Sequence, residues 1–325
     1  MNNREFLMLA KDYSEKADLT AYMWSEKLDG QRAFWDGGIS RGVPAATIGY
    51  CNTLKDKKEY PATGLYTRYG KVIFAPDDWL DQLPLWPLDG ELYTKRNDRD
   101  NLRSIISRKT PDSRWESVRY RVFDSPPLAN IFKDGKINNP HWSAVFDGIL
   151  VAGNTLESTT HFIDAYNFLK TLNVDLVEQH EVDQSMMAGI LKGLSDQGAE
   201  GVMYRYKYSL WQPTRNTNLL KHKLFDDAEG TVIGYTWAKD GKFKGMMGSI
   251  LVRDDSGHTF GVGGFRDSER ILITALGGSA FGFWDPGKDI QNGIYNTKFP
   301  IGSQLRYKHW GFTSDGIPQS AQYWR

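Results

Sequence analysis

The chain has 325 residues, enough for two domains or one large one, and Lys+Arg and Asp+Glu balance at 40 each. A formal net charge of zero excludes a globally basic nucleic-acid binder, so only local basic clusters could serve that purpose. One cysteine, Cys51, excludes an intrachain disulfide and any multi-cysteine metal site, which fits a reducing compartment.

Residues 1–20 read as a short helical lead-in that carries charge throughout, with no apolar run of signal-peptide length. No stretch reaches the apolar length of a membrane span, so a soluble, cytoplasmic protein without a membrane partner is expected. "TAYMWSEKL" reads as a strand that places Met23, Ser25 and Lys27 on one face and Tyr22, Trp24 and Glu26 on the other. It runs into "KLDGQR", residues 27–32. By itself that stretch reads first as a tight turn with solvated charges; the setting of a lysine nucleophile needs partners elsewhere in the chain. Residues 36–64 look like a long exposed excursion, either an additional binding contact or an inert surface insertion. Strands are expected at "GLYTRYG", "WPLDGELYTK", "SVRYRVFD" and, as a core strand, "FDGILVAG". "RNDRDNLRSIISRK", with Arg114, Arg119 and Arg121, is the most basic region and reads as a solvated face.

Two helices follow. "STTHFIDAYNFLKTLN" lines up Phe162, Ala165, Tyr166, Leu169 and Leu172, with Ser158 or Thr159 as its cap. "DQSMMAGILKGLSDQG" lines up Met187, Ile190, Leu191 and Leu194 and stops at Gly198. Both are core-facing by their period. Beyond "KHKLFDDAEG" the chain turns to short strands and Gly-rich turns, with one possible helix near "DSERILITALG". That texture matches a small barrel or sandwich and places a domain boundary near 228.

The chemistry-bearing residues fall in series. A lysine attacking a phosphate must shed its proton, which nearby cations or a metal ion favour. "LDGELY" puts Asp89 and Glu91 on one strand face, suited to a ribose hydroxyl or a metal. Phe123 of "YRVFD" offers a ring for a base, and Glu200 of "EGVMYR" a hard oxygen. "LLKHK" puts Lys221 and Lys223 on one face with His222 turned away, and two such charges call for an anion between them.

Taken in order, "KLDGQR", "TRYG", "DGEL" with "VFD", "EGVMYR" and "LLKHK" resemble the successive motifs of the covalent nucleotidyltransferases. Within that group they are most similar to the small ATP-dependent DNA ligases of bacteria and phages. "GMMGSILVRDDSGHTFGVGGFRDSER" resembles the OB-fold domain of the same enzymes, so the likeness runs over nearly the whole chain from about residue 22.

The resemblance implies an α+β protein: an antiparallel-sheet nucleotidyltransferase (adenylation) domain over 1–228, then an OB-fold β-barrel domain over 229–325, joined by a hinge. It implies that Lys27 carries AMP taken from ATP, and that Glu26 belongs to the nucleotide-binding set. Arg32 and Arg68 hold nucleotide or the 5′-phosphate of nicked duplex DNA. Glu91 binds ribose, Phe123 stacks on adenine, and Glu200 with Glu91 holds a divalent metal, Mg2+ or Mn2+. Lys221 and Lys223 grip the AMP phosphate. A monomer is implied. The sixth motif departs from the pattern: Gln319 stands where an arginine is expected, and Arg325 is the nearest alternative. The rival readings are an RNA ligase or a capping guanylyltransferase, told apart by nucleotide preference, and a non-catalytic OB-fold binder, which needs none of these lysines.

Overall fold

The computed structural model describes residues 6–45, 60–133, 155–280, 285, 289–290, 293–313 and 315–324. Cys51, "FDGILVAG" and Arg325 lie outside the described residues. The chain separates into two compact units, Met1–Lys223 and Leu224–Arg325.

In the first unit the strands are β1 Leu9–Asp12, β2 Tyr22–Glu26, β3 Gln31–Asp36, β4 Leu65–Thr67, β5 Pro87–Tyr93, β6 Arg119–Asp124, β7 Asp175–Leu176, β8 His180–Glu181, β9 Gly201–Tyr206 and β10 Arg215–Lys223. Its helices are α1 Asp77–Leu80, α2 Arg99–Ile106, α3 Leu128–Lys133, α4 Phe162–Leu169 and α5 Gln184–Asp196. The strands form two five-stranded sheets, in the orders β1-β10-β9-β2-β8 and β4-β3-β5-β6-β7. Most pairings are antiparallel; β1 with β10 and β6 with β7 are parallel.

The chain passes from one sheet to the other at residues 27–30, between β2 and β3. Arg205 of β9 and Asp124 of β6 bridge the sheets at 3.3 Å in the buried interior. On the outer side of the first sheet Val202, Tyr204 and Leu220 pack against Met187 of α5. On the outer side of the second, Leu88, Leu92, Tyr120 and Val122 pack with Leu102, Ile105 and Ile106 of α2. Side chains that alternate in this way leave the opposite faces for polar residues.

Both expected helices form on the expected stripes: Phe162, Ala165, Tyr166 and Leu169 are buried in α4, and Met187 in α5. α4 starts later than Ser158 or Thr159 would place it, at His161, without a side-chain cap. Asp183 caps α5 by accepting from the Ser185 N–H at 2.9 Å, and Gly198 follows with φ +72°.

Three expectations are corrected and one is extended. The lead-in forms a strand and, among its described residues, no helix, because β1 finds a parallel partner in β10. The described ends of the 36–64 excursion are only partly exposed: Gly42, Pro44 and Pro61 face solvent, while Ser40, Ala45 and Ala62 are buried and the Ser40 hydroxyl bonds to Asp36 and Tyr66. The basic region near 100 does keep its arginines at the surface, as expected, but it also contains α2, whose leucine and isoleucines enter the core. "DSERILITALG" forms only a 3-10 turn over Asp267–Arg270, then the short strand Ile273–Thr274.

The second unit comprises β11 Asp226–Trp237, β12 Met247–Arg253, β13 Thr259–Val262, β14 Ile273–Thr274, β15 Ile294–Tyr295, β16 Gln304–His309 and β17 Gln322–Tyr323. Residues 226–228 are thus already the start of its first strand. Its main sheet runs β13-β12-β11-β16-β17, with β14-β15 as a separate pair. Among the described residues the ladders do not close into a full barrel. The two edge strands are joined at one point: the Gly263 N–H donates to the Ala321 carbonyl at 3.0 Å, and the Tyr323 N–H to the Gly263 carbonyl at 2.8 Å. Inside lie Val232, Tyr235, Met247, Ile250, Val252, Val262 and Leu305.

Candidate active site

The centre of the site is set by backbone pairing. Lys27, just past β2, donates its N–H to the Gly201 carbonyl at 2.8 Å, and Gly201 pairs in register with Lys223. Both lysines therefore flank the same residue of β9, on the face shared by Ser25, Met203 and Lys221. Gly201 is required there. Its φ is +148°, and a Cβ would lie 2.1 Å from the His222 carbonyl oxygen.

Glu200, one residue earlier, lies between the two ammonium groups. One carboxylate oxygen accepts from Lys27 Nζ; the other is 2.8 Å from Lys223 Nζ. Burial pushes the Glu200 carboxyl up, but Lys27 and Lys223 outweigh that and hold it below the usual carboxylate range. Asp29 and Glu91 go the other way. Burial raises Asp29 first and Glu200 next. Burial raises Glu91 to about 7, with Glu200 and Asp89 adding to the rise against Lys27 and Arg32. Acidic side chains that resist ionising together fit a place where a divalent cation would be welcome. Among the described residues no three His, Cys, Asp or Glu side chains form a ready-made metal cluster. Mg2+ does not need one, since it keeps water and phosphate oxygens as ligands.

On the second sheet Arg32 faces Glu91 across β3 and β5. Its guanidinium forks onto Asp89, with Nε 2.9 Å from Oδ1 and an Nη2 contact to Oδ2, while Nη1 donates to the Met8 carbonyl at 2.6 Å. Phe123 lies beneath it, 5.5 Å from the guanidinium carbon to the ring centroid. A bulge in the β5–β6 register between Asp89 and Gly90 sets Phe123 beside that face. Asp89, expected to meet a ligand, instead holds Arg32.

Three expected site residues are engaged elsewhere. Glu26 alternates to the opposite face from Lys27 and pairs with Arg96 at 2.8 Å. Lys221 pairs with Asp12 of β1 at 3.2 Å. Each lysine of "LLKHK" thus has a different carboxylate, Asp12 for Lys221 and, shared with Lys27, Glu200 for Lys223, and the pair needs no common anion in this state. Arg68 follows β4 in the turn Thr67–Gly70, with its guanidinium 4.6 Å from the Tyr69 ring. Gln319 is absorbed locally, donating to the Phe312 carbonyl at 2.9 Å.

Asp29 was missed as a site residue, although it stands inside "KLDG". Its reading as turn chemistry hid a carboxylate close enough to Glu200, Lys27 and Lys223 to feel all three charges. Arg96 was also missed; it carries no motif.

Residues 240–325 match the family model for the DNA ligase OB-like domain. The chain is similar to a curated DNA ligase of Haemophilus influenzae, 26% identical over 322 residues that cover 98% of this chain and 91% of the relative. Among solved structures it is similar to one from a structure–function study of Lig E DNA ligases described as binding DNA with a minimal scaffold. That match has a TM-score of 0.67 at 27% identity and covers 98% of both chains. A structure named Pmar-Lig_PreS3 shares the fold at TM-score 0.60 and 19% identity, over 98% of this chain and 67% of that one. The chain thus matches a DNA ligase OB-like domain over its last 86 residues and is similar over nearly its whole length to DNA ligases.

Proposed function

We propose that the protein seals nicks between a 3′-hydroxyl and a 5′-phosphate in duplex DNA, using ATP and acting as a monomer in the cytoplasm. The observation that supports this most strongly is the Lys27–Glu200–Lys223 arrangement beside Arg32, Glu91 and Phe123. Lys27 Nζ, once it has lost a proton, attacks the α-phosphorus of ATP; an N–P bond forms and the bond to pyrophosphate breaks. The 5′-phosphate of the nick then attacks that phosphorus and releases Lys27. Finally the 3′-hydroxyl attacks the 5′-phosphate and AMP leaves.

In these steps Lys223 and Lys221 face the phosphate as cations, and the work is positioning and charge stabilisation. Phe123 offers its ring to adenine, and Glu91 its carboxyl to ribose. Arg32 exchanges Asp89 for nucleotide or the 5′-phosphate, and Arg68, on an exposed turn, for DNA phosphate. Glu26 supports the nucleotide site from the far face of β2. Glu200, held acidic by two lysines, is a weak proton acceptor and fits better as the holder of a divalent cation, with Glu91 beside it. When bound, such a cation neutralises charge on the reacting phosphates; Mg2+ is the proposed ion.

Intact-mass measurement after incubation with magnesium and ATP or GTP tests the first step. We expect an AMP-sized gain from ATP alone, absent in Lys27→Ala, and sealing of a labelled nicked duplex by the wild type. A gain from GTP would favour a capping enzyme. No gain after pyrophosphate stripping would favour a binding protein.

A further inference from the structure

Behind the end of β2, on the face away from Lys27 Nζ, one guanidinium joins separate pieces of chain. Arg96 Nε donates to Glu26 Oε1 at 2.9 Å and Nη2 to Glu26 Oε2 at 2.8 Å. Its Nη1 donates to Gln197 Oε1 at 3.0 Å and approaches the Gln197 carbonyl at 3.4 Å. Glu26 is the immediate neighbour of Lys27. Gln197 is the C-cap of α5, just ahead of Glu200. Arg96 itself stands shortly after Glu91, on the segment leaving β5. The segments that meet at this one planar group are those carrying the nucleophile, the carboxylate bound to it, and Glu91, the half-buried acid facing Arg32. A second tie repeats the pattern on the other flank of Lys27: Arg99 Nη1 donates to Asp29 Oδ1 at 3.2 Å.

We infer that Arg96 is a positioning residue for adenylylation of Lys27, fixing Lys27, Glu200 and Glu91 relative to one another by clamping Glu26 and Gln197 from behind. The inference rests on the function proposed above. Arg96 is not placed to touch nucleotide, because Glu26 alternates away from the Lys27 face. Nor is the clamp mainly a stability device. The side chains of Arg96 and Glu26 are 31% and 25% exposed, and ion pairs that open to solvent add little to folding. Its value is geometric: a planar fork takes both oxygens of Glu26 in one orientation while its third nitrogen holds α5. Lysine, a compact charge with no fork, cannot reproduce that.

The test is single-turnover adenylylation of Lys27, read by intact mass over a range of ATP concentrations, with Tm measured in parallel. Arg96→Gln and Arg96→Lys should each lower the maximal rate about 10- to 100-fold, the cost of misplacing a reacting group by about 1 Å. Half-saturating ATP should shift less than about threefold, since nucleotide contacts are untouched. Combining Glu26→Arg with Arg96→Glu should recover part of the rate. Lys207→Gln, which breaks the exposed Lys207–Glu181 pair of the same sheet at 2.8 Å, should adenylylate like wild type. Arg96→Gln at the wild-type rate would overturn the clamp, and so would a loss matched by Lys207→Gln or a full rate in Arg96→Lys. A wild type that gains no AMP overturns the functional reading and the clamp with it; a competent wild type beside an equally competent Arg96→Gln overturns the clamp alone.

Discussion

Glu91 holds its proton to about pH 7 because burial, reinforced by Glu200 and Asp89, disfavours the charged form. Its folded pKa lies above the unfolded value, so the stability it contributes is full below about pH 4.5 and is lost as pH rises towards 7. The effect is at most about 3 kcal/mol, at about 1.4 kcal/mol for each pKa unit. Thermal melts of wild type and Glu91→Gln across pH 4–8 should diverge in that window, with the glutamine variant flatter and relatively more stable at pH 8. Parallel curves would mean that Glu91 ionises freely. Glu200 works in the opposite sense. Glu200→Ala would leave Lys27 and Lys223 facing each other without a counter-charge, a loss of about 2–4 kcal/mol in urea unfolding. Residue identities of this kind were legible in the chain because each motif names its own chemistry. Which partner each residue keeps in the ligand-free state was not. Asp89 on Arg32, Asp12 on Lys221 and Arg96 on Glu26 are contacts between distant segments, and no local spacing encodes them.

Elements carry the site by register. β2, β9 and β10 lie side by side, so one residue of β9, Gly201, decides how close Lys27 and Lys223 approach. Gly201→Ala would drive a Cβ into the His222 carbonyl and force the two strands apart. Adenylylation should fall by more than about 100-fold, with circular dichroism deciding whether the sheet survives. α2 makes the complementary point away from the chemistry. Leu102 is 1% exposed, and Leu102→Ala should cost about 2–5 kcal/mol in denaturant titration while leaving half-saturating ATP unchanged. α4 and α5 could be read from their apolar period. α2 could not, because its arginines dominate the composition and its apolar positions are only Leu102, Ile105 and Ile106. β1 was missed for another reason. A four-residue strand pairing in parallel with β10 depends on a neighbour some 200 residues away, which no local pattern reveals.

At the scale of the whole chain, each unit has a buried centre of its own, around Trp35, Leu92 and Val122 in the first and Val232, Met247 and Val252 in the second. Met247→Ala should therefore lower a calorimetric transition belonging to the second unit by several degrees and leave that of the first in place. A single transition moving as one would show the two to be thermodynamically inseparable. Long helical periods give way to short strands near residue 228, and the two compact units part between Lys223 and Leu224. The incomplete closure of the second sheet was not legible in the sequence, because it depends on where two edge strands happen to meet. That meeting at Gly263 has a consequence for how the molecule ages. Among the described residues the sheet's free margins meet through two backbone hydrogen bonds and the Phe265–Tyr323 ring stack, a short seam that should be the first part of the sheet to breathe. In deuterated buffer the amides of Gly263 and Tyr323 should exchange well ahead of those of Val232 and Val252. While the seam is open, β13 and β17 present unsatisfied backbone to any passing chain, so precipitation on storage should begin there, and conditions that slow exchange at these two amides should lengthen shelf life.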